Sequence, residues 1–156
     1  MIRKFNDFST LKLINQPDDI TCGPTCLMIL ANYFNINTSI ETLTNICGTD
    51  YETGTTDLKM IKGLDYLNLN YTQFPKSNKS ESFNILNEAL RKGHIPLLRT
   101  LIQDPDSDEQ IKHWVLCNPN LKLYSIIDPW LGNYKLNEER LNNIWEPRNY
   151  DGFIIN

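Results

Sequence analysis

The spacing of apolar residues changes part of the way along this 156-residue chain, and the change limits the folds that the chain can adopt. Up to Gly93, apolar side chains recur three and four residues apart, which is typical of amphipathic helices. Residues that favour helix starts precede several of these segments, and Gly93 stands where a helix should stop. The pattern predicts four helices, at residues 23–34, 39–47, 56–67 and 80–92.

After Gly93 the pattern is that of a sheet. Short runs rich in β-branched and aromatic residues follow one another, and turn residues such as Asn118-Pro119-Asn120 separate them. The pattern predicts strands at 95–101, 113–117, 122–127 and 153–155, with a short helix at 137–145. Helices followed by an antiparallel sheet define an α+β domain, and the length suits one domain over residues 1–156.

Composition narrows the classes of function. Hydrophobic residues make up 40% of the chain and charged residues 22%, as in ordinary globular proteins. The net charge of −4 comes without a cluster of Lys and Arg, so we expect no nucleic-acid partner. The N-terminus lacks the apolar stretch of a secretory signal, and no run approaches the ~20 apolar residues of a membrane helix. We therefore expect a cytoplasmic protein without membrane insertion, although export by another route stays open.

The four cysteines are too few for a disulfide-dense scaffold, and the cytoplasm would keep them as thiols. Cys47 and Cys117 are expected to be core thiols. Cys22 differs, because the helix predicted at 23–34 puts it at a helix N-terminus, whose partial positive charge favours a thiolate. The alternative is that Cys22 is only a small buried hydrophobic residue. Six residues earlier, the Gln16 amide could stabilise an oxyanion beside the Cys22 backbone amide.

The chain has two histidines that could serve as a base for such a thiol. A two-residue turn at Asn120-Leu121 would pair Asn118 with Leu123 and therefore His113 with Asp128, on one face of the sheet. That carboxylate would hold the imidazole in the useful tautomer and stabilise its charged form. His94 is expected at the edge of a loop, so His113 is the predicted base.

A metal site is the alternative to this arrangement. Cys22 and Cys26 together with the histidines could be zinc ligands, but paired C-x-x-C elements are missing and Cys26 falls on the apolar face of the helix. The segment Asp104–Glu109 resembles the start of a calcium loop, but it lacks the required glycine and contains a proline. We expect a solvated loop there, able to act as a flap, and we expect no metal or cofactor.

Five short segments follow one another along the chain in a characteristic order. They are Gln16-x5-Cys22-Gly23-Pro24, Gly54-Thr55-Thr56, His94-Ile-Pro-Leu-Leu, His113-Trp114-Val115 and Asp128-Pro129-Trp130-x-Gly132. In order and spacing they resemble the C39 and C39-like peptidases of the papain-like superfamily, and the resemblance covers nearly the whole chain. Gly54-Thr55-Thr56 is similar to the "GT/GTS" loop of that family.

The resemblance implies a papain-like fold, in which a helical half carries the nucleophile at a helix N-terminus and packs on a C-terminal antiparallel sheet. It also implies the roles of four residues: Cys22 as nucleophile, His113 as base, Asp128 as orienting acid and Gln16 as oxyanion donor. Four further residues flank these segments and are predicted to form the walls of the cleft: Gly54, Thr55, Trp114 and Trp130. Trp114 and Trp145 are also expected to be core aromatics whose indole N–H groups find partners.

The implied function is hydrolysis of a peptide bond, in a leader peptide or at an isopeptide linkage, through a thioester on Cys22. The substrate is a peptide or protein, which a partner protein could present, and no oligomeric state is predicted. Two alternatives stay open. An amine or thiol could replace water, as in an acyltransferase or transpeptidase with the same triad. The domain could also bind peptides without cleaving them.

Overall fold

A computed structural model describes residues 11–119 and 123–156, and the predicted turn at Asn120-Leu121 lies outside them. Within that part of the chain the elements are α1 (Cys22–Tyr33), α2 (Ile40–Cys47), α3 (Asp57–Tyr66), β1 (Tyr71–Gln73), α4 (Lys79–Arg91), β2 (Ile95–Gln103), β3 (Gln110–Asn118), β4 (Tyr124–Asp128), β5 (Gly132–Leu136), α5 (Glu138–Trp145), a 3₁₀ helix (Glu146–Arg148) and β6 (Gly152–Ile155).

Helices α2 to α5 begin at residues whose side chains satisfy a backbone N–H of the first turn. Ser39, Thr56, Asn78 and Asn137 each accept a hydrogen bond from the N–H three residues later. Each such cap contributes about 1 kcal/mol. Gly93 follows α4 with a φ of 75°, the left-handed conformation that favours glycine after a helix. The five predicted helices are therefore confirmed, each boundary within one residue.

The start of α1 is fixed differently. The Thr21 side chain makes no capping hydrogen bond. Instead, Asp18 Oδ1 accepts hydrogen bonds from the N–H groups of Ile20 and Thr21, both at 3.0 Å. The helix begins at Cys22, one residue before the predicted start, so Pro24 is its third residue. Proline is tolerated there because the N–H groups of the first turn have no partner within the helix.

The strands form one antiparallel sheet in the order β1-β6-β2-β3-β4-β5. Successive residues of each strand point to opposite faces. One face packs against α1, α2 and α3 through Leu97, Trp114, Leu116, Ile127 and Phe153. The other face packs against α4 and α5 through Leu98, Val115, Cys117, Ile126 and Ile154. The sheet therefore lies between two helical layers, and the predicted α+β class is confirmed.

Two strands were not predicted, and they change the simple order of helices followed by sheet. β1 is a three-residue edge strand that precedes α4, and β5 forms the opposite edge. The apolar residues Tyr134 and Leu136 alternate with Asn133 and Lys135 in β5, which is a weak strand signal in so short a segment.

The predicted register between β3 and β4 was wrong by two residues. The structure pairs Cys117 with Ile126, whereas the prediction paired Cys117 with Tyr124. Leu123 adopts a φ of 63°, a left-handed conformation that cannot extend a strand, so the connection is longer than a two-residue turn allows. Because side chains alternate with a period of two, this shift leaves every residue on its predicted face.

The predicted core thiols and core aromatics are confirmed. Cys47 and Cys117 are fully buried, and burial raises the pKa of these thiols to about 11 and about 12. The indole N–H groups of Trp114 and Trp145 each donate to a backbone carbonyl oxygen, at 2.7 and 2.9 Å. Across residues 11–119 and 123–156, no helix has the length and apolar character needed to cross a membrane.

Candidate active site

Three elements meet around His113. The imidazole comes from β3, Asp128 ends β4, and Cys22 is the first residue of α1, which packs against β3. Pairing between β3 and β4 ends at Leu116 and Ile127, so His113 and Asp128 both lie beyond the last paired residues. The structure thus brings together the predicted thiol, imidazole and carboxylate, although they are far apart in the sequence.

The His113 side chain is 1% exposed and interacts with both Asp128 and Cys22. Its Nε2 lies 2.5 Å from Asp128 Oδ1. Because Asp128 uses Nε2, Nδ1 is the ring nitrogen left for Cys22. Burial lowers the pKa of His113, but Asp128 and Cys22 outweigh burial and raise the pKa to about 9. The Thr100 hydroxyl donates to the His113 carbonyl oxygen and holds the backbone at this point.

The Asp128 carboxylate is fully buried, and each of its two oxygens accepts at least one hydrogen bond. Besides His113, its Oδ1 accepts hydrogen bonds from the N–H groups of Trp130 and Leu131, at 2.8 and 3.0 Å. Its Oδ2 accepts the hydroxyl of Tyr134 at 2.9 Å. Burial alone would raise the pKa of Asp128, but the hydrogen bond to His113, supported by the backbone donors, keeps it below the usual range.

Tyr134 is a residue of this site that was not predicted from the sequence. It lies on β5, an element that was also missed, and its hydroxyl is the donor to Asp128 Oδ2. The alternation of apolar and polar residues in β5 could have placed the strand, but not the contact with Asp128. The tyrosine therefore belongs with the groups that orient the carboxylate.

Gln16 is tied to the segment that follows Asp128. Its backbone N–H donates to the Pro129 carbonyl oxygen at 2.8 Å. Its side-chain Nε2 donates one hydrogen to the Asp18 carbonyl oxygen at 2.7 Å, which leaves a second N–H on the same nitrogen. Oε1 is buried, and it has no hydrogen-bond partner in the part of the chain that the structure describes. Gln16 therefore keeps one side-chain donor for a further acceptor.

The loop that contains Gly54 and Thr55 supports the start of α1. A Cβ atom at Gly23 would lie 2.5 Å from Thr55 Oγ1, so only glycine permits this close approach. Trp114 donates to the Thr55 carbonyl oxygen. Thr55 and Trp114 are 4% and 2% exposed, which leaves little of either residue accessible to a substrate. Gly54 keeps partial exposure, and contact of these three residues with a substrate stays a prediction.

Trp130, the fourth predicted wall residue, is half-buried and sits next to the imidazole. Its ring meets that of His113 edge to face, with centroids 6.1 Å apart. The other histidine, His94, lines a separate cavity between α4 and β6. Cys26, one helical turn after Cys22, is fully buried, and burial raises the pKa of its thiol well above the ordinary value. Cys22 is thus the cysteine that accompanies the imidazole.

The alternative metal sites find no support in the described residues. In residues 11–119 and 123–156, no group of three or more His, Cys, Asp or Glu residues could hold a metal ion. The acidic segment Asp104–Glu109 forms the tip of the β2–β3 hairpin, where the Asp104 N–H donates to the Glu109 carbonyl oxygen at 2.8 Å. Its role as a flap stays a prediction.

A thiol at a helix N-terminus, an imidazole and a buried carboxylate form the arrangement that nucleophilic catalysis by cysteine requires.

No curated protein sequence matches the chain. Among solved structures, the chain is similar to the peptidase domain of Streptococcus ComA, a bi-functional ABC transporter involved in a quorum-sensing pathway. The TM-score is 0.69 at 21% identity, covering 94% of this chain and 96% of that one.

Two more solved structures share the fold. A double glycine motif protease from an AMS/PCAT transporter, in complex with the leader peptide, matches with a TM-score of 0.65 at 18% identity, over 92% of this chain and 88% of that one. The peptidase domain of Streptococcus mutans ComA matches with a TM-score of 0.62 at 18% identity, over 93% and 98%. These likenesses confirm the predicted papain-like fold. Because the model of the peptidase C39 family matches residues 10–149, the chain belongs to that family of cysteine peptidases.

Proposed function

We propose that this protein hydrolyses a peptide bond through a thioester on Cys22, with His113 as general base and acid, Asp128 as orienting carboxylate and Gln16 as an oxyanion donor. The observation that carries the proposal is the buried imidazole of His113, which is hydrogen-bonded to Asp128 and whose pKa is raised by both Asp128 and Cys22. We further propose that residues 1–156 form one catalytic domain and that it works in the cytoplasm.

The first half of the reaction uses each of these groups once. His113 Nδ1 takes the proton of the Cys22 thiol, and the thiolate attacks the substrate carbonyl carbon. The N–H of Cys22 and the second side-chain N–H of Gln16 stabilise the oxyanion. The imidazolium then gives its proton to the leaving amine, the C–N bond breaks, and the acyl group remains on Cys22 as a thioester.

In the second half, His113 takes a proton from water, and the hydroxide attacks the thioester carbonyl. The C–S bond breaks, the proton returns to the Cys22 sulfur, and a peptide carboxylate leaves. Asp128 stays ionised throughout and stabilises the imidazolium in both halves. A metal ion has no part in this sequence, because the thiol and the imidazole supply the nucleophile and the proton carrier.

A leader peptide with a double glycine is the substrate class that we propose first. The support comes from the similar double glycine motif protease of an AMS/PCAT transporter, whose structure contains the leader peptide. Glycines lack side chains and so suit a narrow entrance to a nucleophile that is 8% exposed, as Cys22 is. An isopeptide bond is the second class, because its flexible side-chain amide could also reach such a site.

The test is incubation of the protein with a synthetic peptide that carries a double glycine, followed by mass spectrometry. We expect two products whose masses sum to that of the peptide plus one water, with ¹⁸O in the new carboxyl group when the reaction runs in H₂¹⁸O. A peptide with two valines in place of the glycines is the matched control and should be cleaved far more slowly. An adduct with added glycinamide in place of the acid would favour an acyltransferase, and a peptide bound but uncut would favour a binding module.

Replacing Tyr134 with phenylalanine is expected to lower kcat by roughly 3- to 30-fold, because the Asp128 carboxylate loses one charge-assisted hydrogen bond. KM should change little, since the role of the hydroxyl is to donate to Asp128. Tyr124→Phe is the matched control, because its hydroxyl donates to Asn87 at 2.6 Å and not to the triad. Equal kinetics for the two variants would contradict a positioning role for Tyr134.

A further inference from the structure

A second cavity, of about 500 Å³, lies between the start of α3, β2 and the segment that leads into β6. Its size is within the range of small-molecule sites. Cys22, His113 and Asp128 do not line it. Five charged side chains do, and they come from four separate segments: Asp57, Lys76, Arg99, and Arg148 with Asp151. Three positive and two negative groups therefore face one space.

Both carboxylates of this cavity form ion pairs with the same arginine, Arg99. Arg99 Nη1 lies 3.0 Å from Asp57 Oδ1 and 3.5 Å from Asp151 Oδ2. Burial and the nearby Asp151 carboxylate raise the pKa of Asp57 to about 6. Both acids form their ion pairs with Arg99, and the three cations of the cavity outnumber the two acids.

Arg148 and Lys76 have no such partners. Neither forms an ion pair within the described residues, although both line the cavity. Arg148 Nε is buried and has no hydrogen-bond partner in the same part of the chain. A buried donor without an acceptor is unfavourable, so a ligand that supplies an acceptor would be stabilised here. Burial and the nearby Arg99 lower the pKa of Arg148 although Asp151 and Asp57 act in the opposite direction, so a further negative charge beside Arg148 would favour its charged form.

We propose that this cavity is an anion-binding site, in which Arg148 and Lys76 hold a carboxylate or another oxyanion. A guanidinium group matches two oxygens of such a ligand at once, and the ammonium of Lys76 adds a second charge at the rim. The ligand is either an acidic group of the peptide substrate or a free small anion. These two sources share the same chemistry, and the test separates them.

The site adjoins the structure that supports the nucleophile. The guanidinium carbon of Arg99 lies 5.8 Å from the centroid of the Trp114 ring, and Trp114 holds the loop at Thr55. Asp57 begins α3 two residues after Thr55, which packs against Gly23. An anion bound beside Arg99 and Asp57 would therefore lie next to the residues that support the Thr55 loop and the start of α1.

Sulfate is the probe, because its charge of −2 is constant near neutral pH. We expect sulfate to bind the wild-type protein saturably in calorimetry and to raise its melting temperature beyond sodium chloride of equal ionic strength. Arg148→Gln and Lys76→Gln should each weaken sulfate binding by about tenfold or more, since each removes a charge-assisted contact. Arg148→Lys should retain part of the affinity, and Arg140→Gln, an exposed arginine on α5, should behave as wild type.

No sulfate effect beyond that of chloride, or wild-type affinity in both glutamine variants, would overturn the proposal. The exposed Lys76 allows a variant with little risk to folding. Binding is measured on Cys22→Ala as well, so that failure of the proposed hydrolase leaves this test intact. Competitive inhibition of peptide cleavage by sulfate would assign the site to an acidic group of the substrate, whereas binding without inhibition would assign it to a free anion.

Discussion

Cys22→Ala is expected to lower kcat/KM for peptide hydrolysis by at least about 10³-fold, because the thioester cannot form without the sulfur. The protein should remain folded, since the change removes one atom from a side chain at the first position of α1. The matched control is Cys26→Ala, one helical turn further along. Its thiol donates to the Trp114 carbonyl oxygen at 3.4 Å and does not face the imidazole, so its kcat/KM should stay close to that of wild type.

Alkylation by iodoacetamide tests the same residue without a substrate. Cys26, Cys47 and Cys117 are fully buried, and burial raises the pKa of each thiol, so they should react slowly. Cys22 should be labelled first, at a rate that falls in His113→Ala, because the imidazole proposed to take the thiol proton is lost. Equal labelling of Cys22 and the buried cysteines, unchanged in His113→Ala, would contradict the assignment of Cys22 as nucleophile.

The contact between His113 and Asp128 was predictable from the sequence, although the register that predicted it was wrong. Side-chain direction in a strand depends only on whether residue numbers are odd or even relative to the pairing, so an error of two residues preserved the face. An error of one residue would have separated the two groups. The start of α1 was predictable to within one residue, because apolar residues recur at helical spacing after Pro24 and proline suits the first turn of a helix.

The residues around the contact between His113 and Asp128 could not be predicted from strand periodicity. Tyr134 reaches Asp128 because β5 pairs with β4, and an edge strand of five residues leaves only a weak periodic signal. The buried positions of Thr55 and Trp114 depend on how tightly the loop packs against Gly23, which spacing in the sequence does not specify. These features are properties of tertiary packing.

The charged cavity is the feature that the sequence predicts least well. Asp57, Arg99 and Asp151 are more than forty residues apart in sequence, and each alone is an ordinary polar residue in or beside a helix or strand. Their meeting depends on the position of β2 between β6 and β3. A search for motifs therefore detects the triad, whose order along the chain is characteristic, and passes over a site whose members have no fixed spacing.

Asp128→Ala is expected to lower kcat by about 10²-fold or more, because His113 loses the group that holds Nε2 and stabilises the imidazolium. It should also change the pH dependence. The imidazolium must protonate the leaving amine, so wild-type hydrolysis should fall as the pH rises through the pKa of His113, about 9. Loss of Asp128 removes a hydrogen bond and a negative charge that both raise this pKa, so the alkaline limb should move to lower pH.

Asp128→Asn separates orientation from charge. The asparagine oxygen can still accept from His113 Nε2 and from the N–H groups of Trp130 and Leu131, and its amide can donate to the Tyr134 oxygen. We therefore expect a smaller loss of kcat than in Asp128→Ala, but a similar shift of the alkaline limb, because the negative charge is lost in both.

The matched control for both Asp128 variants is Asp65→Asn. Asp65 also accepts a tyrosine hydroxyl, that of Tyr71 at 2.8 Å, but it lies on the surface of α3. Its pH profile of kcat should be that of wild type. If the limb stayed near pH 9 in both Asp128 variants, the carboxylate would not control the ionisation of His113, and its proposed role would be reduced to packing. If Asp128→Asn lost as much kcat as Asp128→Ala, charge would outweigh orientation at this site.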